Sequence, residues 1–249
     1  FHGDHIRYAK GWQEPLTELE IATNKNWHSF SSGTLVSGSK SVNCYRCSLK
    51  NGDVIYFKRY VLRRHKLQFT APLPSKPVVE NFGFNILNQI GIATLDVLAI
   101  GERRHYGRLI ASFIVTREIK TSIDLESFAA EQWYGMPEPQ RSQTYLEISE
   151  SILQQLKTAH EHNFCHRDLK WRNILVQKIN NTYKTTWIDC PRADIMRLRK
   201  MRRVLLDIGA LARLAMSYLP VREQLRWLQR YIDITHCNYT AKELFIAVQ

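Results

Sequence analysis

The feature that most limits how this chain folds is a change of apolar period along its length. From Ser31 to about residue 119 the apolar residues fall mostly into short, strand-like alternations, whereas beyond "GMPEPQ" (135–140) they recur at helical spacing. Strands first and helices second predict an α+β chain, and 249 residues are enough for one large domain or for two lobes with their own cores.

The details follow that order. From Ser31 to Tyr60 two turn-prone regions, one with Gly33, Ser37 and Gly38 and one with Asn51, Gly52 and Asp53, separate alternating runs that lead through Val54 and Tyr56 to Lys58. "LQFTAPLPSKP" (67–77) reads as a proline-bearing connection. After it Val78, Phe82, Ile86 and Leu87 predict one helix, stopped at Gly91. Residues 93–119 return to strands around a turn at 101–107. Leu146, Ile152, Leu153, Leu156 and Ala159 predict a helix that runs into "NFCHRDLKWRNILV" (163–176), and "NILV" and "TTWID" form a hairpin after it. Two amphipathic helices from Val204 onward are expected to end the chain.

Composition narrows the partners without choosing one. With 35 Lys plus Arg against 23 Asp plus Glu, the formal charge of +12 favours an anion: nucleic acid, acidic lipid or a phosphorylated small molecule. Nucleic acid is disfavoured, because no aromatic-basic or helix-turn-helix pattern accompanies the charge. The longest apolar runs, such as "LIASFIV" (109–115), are too short to span a bilayer, and "FHGDHIRYAKGWQ" has no apolar signal core. The 5 cysteines are odd in number and scattered, which suits a reducing compartment, so the expected location is cytoplasmic. Cys44 and Cys47 form a lone CxxC without a second ligand pair and read as two strand residues.

The chemistry centres on "HRDLKWRN". Phosphoryl transfer needs an acceptor hydroxyl aimed in line, a sink for its proton and cations on the phosphates. In this loop Asp168 is the candidate base, Lys170 steadies the transferring group, and Asn173 offers an amide oxygen to Mg²⁺. The rival reading is a charged surface turn, since D-x-x-x-x-N arises by chance. Context favours chemistry: Asp189 ends an apolar strand downstream as a second metal ligand, Lys58 ends a strand upstream where it can meet the α- and β-phosphates of ATP, and Glu80 lies on the next helix to hold that lysine. His166 is read as a brace for the loop, Arg167 as structural or a phosphate contact, and Asp207 as a carboxylate that shapes the loop's backbone. The basic stretch "RADIMRLRKMRR" (192–203) is either a solvated face or a grip on phosphates or acidic headgroups.

These residues, with "IDCPRAD" (188–194), "FIVTREIKTSIDLESF" (113–128), "GIATLDVLAIGER" (91–103) and "REQLRWLQRYI" (222–232), resemble the bacterial lipopolysaccharide kinase family over roughly residues 30–235. The resemblance implies a two-lobed protein-kinase-like fold, with a small β-rich N-lobe at 1–118 and a mainly helical C-lobe at 119–249. It implies ATP and Mg²⁺ as cofactors and a heptose or Kdo hydroxyl of lipopolysaccharide, or another lipid-linked sugar, as acceptor. It also implies peripheral contact with an acidic membrane at the cytoplasmic face and room for a helper protein. Lys58, Glu80, Gly38, Ser39, Glu118 and Ile119 are assigned to the nucleotide, Asn173 and Asp189 to the metal, Asp168 and Lys170 to catalysis, and Arg172, Arg192 and Arg197 to the acceptor. Two departures stand out: Gly33, Ser37 and Gly38 do not make a GxGxxG, so backbone amides around Ser37–Lys40 would cover the phosphates, and no APE-like segment follows Asp189. The latter speaks against a peptide acceptor. A protein kinase, an aminoglycoside-type kinase and a non-catalytic glycolipid-binding scaffold remain alternatives.

Overall fold

A computed structural model describes residues 2–19, 27–62, 73–195 and 200–248. It divides into two compact units, one of Phe1–Phe84 with Leu95–Ile119 and the other of Asn85–Thr94 with Lys120–Gln249.

The first unit is built on six antiparallel strands, β1 (Gly3–Tyr8), β2 (Thr34–Gly38), β3 (Val42–Ser48), β4 (Val54–Val61), β5 (Val97–His105) and β6 (Arg108–Arg117), in the order β1-β5-β6-β4-β3-β2. The alternation seen in the sequence sorts the two faces. Tyr45 and Cys47 of β3, Ile55 and Phe57 of β4 and Phe113 and Val115 of β6 bury one face together with Trp27, Phe30 and Leu16. Leu16 comes from the short helix α1 (Gln13–Thr17). Phe113 is the hub of this core, 4.8 Å from Trp27 and 5.2 Å from Phe57 between ring centroids. Its register partner is Gly101, where an added Cβ would lie 2.1 Å from the Phe113 ring; only glycine leaves room for the aromatic to lie across the neighbouring strand.

On the other face of β4, Lys58 and Tyr60 point toward helix α2 (Lys76–Gln89) and meet its Glu80. Pro77 is tolerated in the first turn because amides there have no intrahelical acceptor. The helix stops where expected: Gly91 takes φ +78, and Ile92 N–H reaches back to the Leu87 carbonyl at 2.8 Å. Its apolar stripe differs in detail from the expectation, since Phe82 is exposed while Phe84 and Leu87 are buried.

The second unit holds a three-stranded sheet of β7 (Ser122–Asp124), β9 (Ile174–Ile179) and β10 (Thr182–Trp187), ordered β10-β9-β7. Asp124 caps the short helix α3 (Leu125–Phe128) by accepting from the Ser127 amide. Helix α4 (Glu138–Glu161) lies on β10, burying Ile152, Leu153, Leu156 and Ala159 and tying to it through Ser151 and Gln155, both bonded to Thr185. Leu146, counted with that stripe in the sequence, is exposed; Ile148 takes its place. A two-residue strand β8 (Phe164–Cys165) pairs with β11 (Asp194–Ile195). Helices α5 (Lys200–Tyr218) and α6 (Val221–Thr235) follow, and a further helix, α7 (Ala241–Val248), packs against both.

Neither α7 nor β1 is in the sequence reading. A signal for α7 exists in a capping box: the Thr240 hydroxyl accepts from the Glu243 amide at 3.2 Å while the Glu243 carboxylate accepts from the Thr240 amide at 2.8 Å. β1 has only Ile6 and Tyr8 as apolar markers and joins the sheet at an edge. Among the described residues no helix is long and apolar enough to cross a membrane.

Candidate functional site

The loop from His166 to Asn173 is shaped from beneath by one buried carboxylate. Asp207, on α5 and fully buried, accepts the backbone N–H of His166 at 3.0 Å on Oδ2 and that of Arg167 at 2.6 Å on Oδ1. Arg167 sits at φ +64, a conformation that a side chain with Cβ disfavours, and the clamp on its amide holds it there. Burial pushes the Asp207 carboxyl up, yet the His160 hydrogen bond, the nearby imidazoles and the His166 amide together keep it below its ordinary value. His160 is itself held, with Nδ1 2.8 Å from the Tyr231 hydroxyl and Nε2 3.4 Å from Asp207. With Nε2–H donating to the carboxylate, a neutral ring would leave Nδ1 to accept from the Tyr231 hydroxyl. The sequence reading anticipated Asp207 but missed His160 and Tyr231, which stand on α4 and α6 and carry no local signal.

Above the clamp the candidate catalytic groups converge. Lys170 Nζ lies 2.7 Å from Asp168 Oδ1, both side chains partly exposed. Asn173 is buried; its Nδ2 donates to the Asp168 carbonyl at 2.8 Å, which fixes Oδ1 as the atom it presents to a cation. The loop is anchored again by Trp171, whose ring nitrogen donates to the Leu211 carbonyl at 3.0 Å and whose ring stacks on Tyr218.

Asp189 is brought to the same neighbourhood through the residue before it. Ile188 donates its N–H to the Asn173 carbonyl at 2.9 Å, and its own carbonyl accepts from His166 Nε2 at 3.0 Å. Asp189 follows this doubly held residue at φ +57, a region that Asp tolerates better than most. His166 is therefore the brace that the sequence suggested: it is wholly buried, burial lowers its pKa, and as a neutral ring it donates to Ile188. One amide oxygen and one carboxylate on neighbouring loops make a hard-oxygen donor set that fits Mg²⁺ better than a softer metal. Cys165 and Cys190 are buried, and burial pushes the Cys165 thiol up, away from nucleophilic use.

In the first unit Lys58 Nζ is 3.3 Å from Glu80 Oε1, and the Tyr60 hydroxyl donates to Glu80 Oε2 at 3.0 Å. Glu80 is 3% exposed, so this carboxylate is held inside the protein by named donors and is not a solvated helix residue.

The other candidates stand as follows. Gly38 closes β2, and the turn after it folds onto Ser39: the Ser39 amide donates to the Val42 carbonyl at 2.7 Å, and its hydroxyl accepts from the amides of Ser41 and Val42. Those three amides are used inside the turn. Glu118 follows β6, donates its amide to the Val54 carbonyl and takes both an Arg46 guanidinium fork and the Tyr56 hydroxyl on its side chain; Ile119 comes next. Arg172 and Arg192 are exposed, Arg172 in the His166–Asn173 loop and Arg192 three residues after Asp189. Arg197 lies outside the described residues. Cys44 and Cys47, both on β3, have an odd separation that points them to opposite faces, as strand residues rather than a ligand pair.

A family model described as the lipopolysaccharide kinase (Kdo/WaaP) family matches residues 40–239. Lipopolysaccharide core heptose(I) kinase WaaP of Pseudomonas aeruginosa is 29% identical over 150 residues, which cover 58% of this chain and 55% of that protein. The matched region thus spans about half the length of the curated relative. A solved structure described as WaaP in complex with acyl carrier protein matches with a TM-score of 0.71 at 21% identity, covering 98% of this chain and 96% of the other, which establishes a shared fold.

Proposed function

Because this chain belongs to the lipopolysaccharide kinase (Kdo/WaaP) family, we propose that it transfers the γ-phosphoryl group of Mg·ATP to a sugar hydroxyl of the lipopolysaccharide inner core, a heptose or Kdo. The observation that carries this reading is the loop in which Asp168, Lys170 and Asn173 are tied together while Ile188 binds the Asp189 segment to Asn173.

The roles follow from the groups. Asp168 accepts the proton of the attacking hydroxyl; Lys170, 2.7 Å away, pairs with that carboxylate and faces the negative charge that develops on transfer. Asn173 Oδ1 and the Asp189 carboxylate would hold Mg²⁺, which when bound would neutralise phosphate charge. Lys58, oriented by Glu80, meets the α- and β-phosphates. Arg172 and Arg192 give an anionic acceptor something to pair with. The basic balance of the chain favours a location at the cytoplasmic face of an inner membrane, where a lipid-linked anionic acceptor resides.

An acyl carrier protein is the proposed helper. Supporting this, the second unit contains an apolar cavity lined by Phe128, Trp133, Ile152, Leu211, Trp227 and Phe245, whose chemistry suits a carrier-borne acyl chain. Titration with acylated and unacylated carrier tests this, since equal affinity for the two removes the cavity from the account.

The central test is transfer of labelled γ-phosphate from Mg·ATP to dephosphorylated inner-core lipopolysaccharide, with free sugars, a generic protein and the Asp168→Ala variant alongside. Label in the lipopolysaccharide glycan that disappears in the variant is the expected result. Label in protein or free sugar instead selects another kinase class, and nucleotide binding without transfer to any acceptor selects a scaffold.

A further inference from the structure

We infer that Tyr60 is a positioning residue for the nucleotide's phosphates, acting through Glu80 on Lys58; this rests on the phosphotransfer reading above. Lys58 and Tyr60 stand two residues apart on β4, so their side chains leave the same face of the sheet and reach the same carboxylate. Lys58 takes Glu80 Oε1 at 3.3 Å, and the Tyr60 hydroxyl takes Oε2 at 3.0 Å. A carboxylate with one partner is free to rotate about its last bond; one held at both oxygens from a single rigid strand is not. The Tyr60 ring is 6% exposed and Glu80 3%, so neither group has bulk water as a ready substitute for the other.

The choice of a phenol matters electrostatically. A phenolic O–H donates to Oε2 without bringing a charge of its own. The ring also lies near Lys58 Nζ and Lys76 Nζ, at 5.4 and 5.3 Å from its centroid, and its face offers both ammonium groups a favourable quadrupole. The structure therefore assigns two separable jobs to one side chain: the ring flanks the lysines, and the hydroxyl sets the carboxylate.

The experiment isolates the hydroxyl. Equilibrium binding of Mg·ATP is measured by calorimetry for the wild type, Tyr60→Phe, Glu80→Ala and the double variant, with melting temperatures recorded for each. The expected result is a roughly tenfold weaker affinity for Tyr60→Phe, through a misplaced Lys58, and no further loss when Tyr60→Phe is added to Glu80→Ala. A hydroxyl that serves only general packing would lower the melting temperature and leave this cycle additive. The inference is overturned if Tyr60→Phe binds nucleotide as the wild type does, or loses the same factor in both backgrounds, while Lys58→Ala still abolishes binding. A wild type that binds no Mg·ATP overturns the phosphotransfer reading and this inference with it.

Discussion

Replacing Asp207 by Asn tests the idea that one buried carboxylate shapes the candidate catalytic loop. The substitution keeps shape and volume but leaves one oxygen where two accept, Oδ1 from Arg167 N–H at 2.6 Å and Oδ2 from His166 N–H at 3.0 Å. One of these amides then faces an NH₂ group. A buried donor left without an acceptor costs about 1–3 kcal/mol, and loss of the charge on the remaining bond costs about 1 kcal/mol more. The sum is about 2–4 kcal/mol, which for a domain of this size lowers Tm by about 5–15 °C. The loop then loses the tie that keeps Arg167 at φ +64, a conformation costing on the order of 1–3 kcal/mol, so the backbone relaxes and Asp168 moves with it. Thermal melts by circular dichroism, paired with the phosphotransfer assay on protein kept well below its melting point, give both quantities. An Asp207→Asn variant that melts within about 2 °C of wild type, against this scale, would falsify the clamp.

Other expectations follow from the same packing and charge arguments. The folded-state pKa of Asp207 lies below its unfolded value, so its stabilisation is complete above the ordinary Asp range near 4 and is lost as the pH falls through the folded value. Acid titration of stability should therefore be shallower for Asp207→Asn than for wild type, and parallel curves would contradict this. Gly101→Ala places a Cβ 2.1 Å from the Phe113 ring and should destabilise the first unit by about 1–3 kcal/mol in urea unfolding, with near-UV dichroism showing the aromatic cluster disturbed. Trp171→Phe keeps the stack on Tyr218 but removes the bond to the Leu211 carbonyl, a loss of about 1 kcal/mol by the same method; an unchanged midpoint would count against the second loop anchor. Lys170→Met removes the cation beside Asp168, and turnover should fall while Mg·ATP affinity holds, since the lysine pairs with the base rather than with Glu80.

What the amino-acid sequence carries openly is local and periodic. The strands β3 to β6 and the hairpin of β9 and β10 announced themselves by alternation and by turn residues such as Asn51-Gly52 and Asn180-Asn181. Asp168, Lys170 and Asn173 were legible because one short loop carries all three. Lys58 with Glu80 was legible only as an order of elements, a lysine in a strand followed by a helix; the strand runs on past Lys58 to Val61, and the 3.3 Å contact and the Tyr60 bond needed the fold. His160 and Tyr231 were out of reach, because 71 residues separate them and each reads alone as an ordinary helix residue. The exposed Phe82 and Leu146 show the limit of counting apolar spacing, since a helix's buried stripe is chosen by what it packs against. The strand β1 failed for the complementary reason: an edge strand buries little, so its sequence need not alternate strongly.

That edge strand has a consequence for synthesis. Among the described residues β1 bonds only to β5 within the sheet, and the pairing reaches across the chain, Asp4 to Arg103, a separation of 99 residues. On a ribosome adding about 5–20 residues per second, β1 emerges roughly 5–20 seconds before β5 exists. During that interval its amides and carbonyls are open to any other strand, and Asp4, His5 and Arg7 are what it has to discourage the wrong one. The sheet is thus completed at that edge by an older stretch of the nascent chain docking onto a much younger one, so strand order in space runs against order in time.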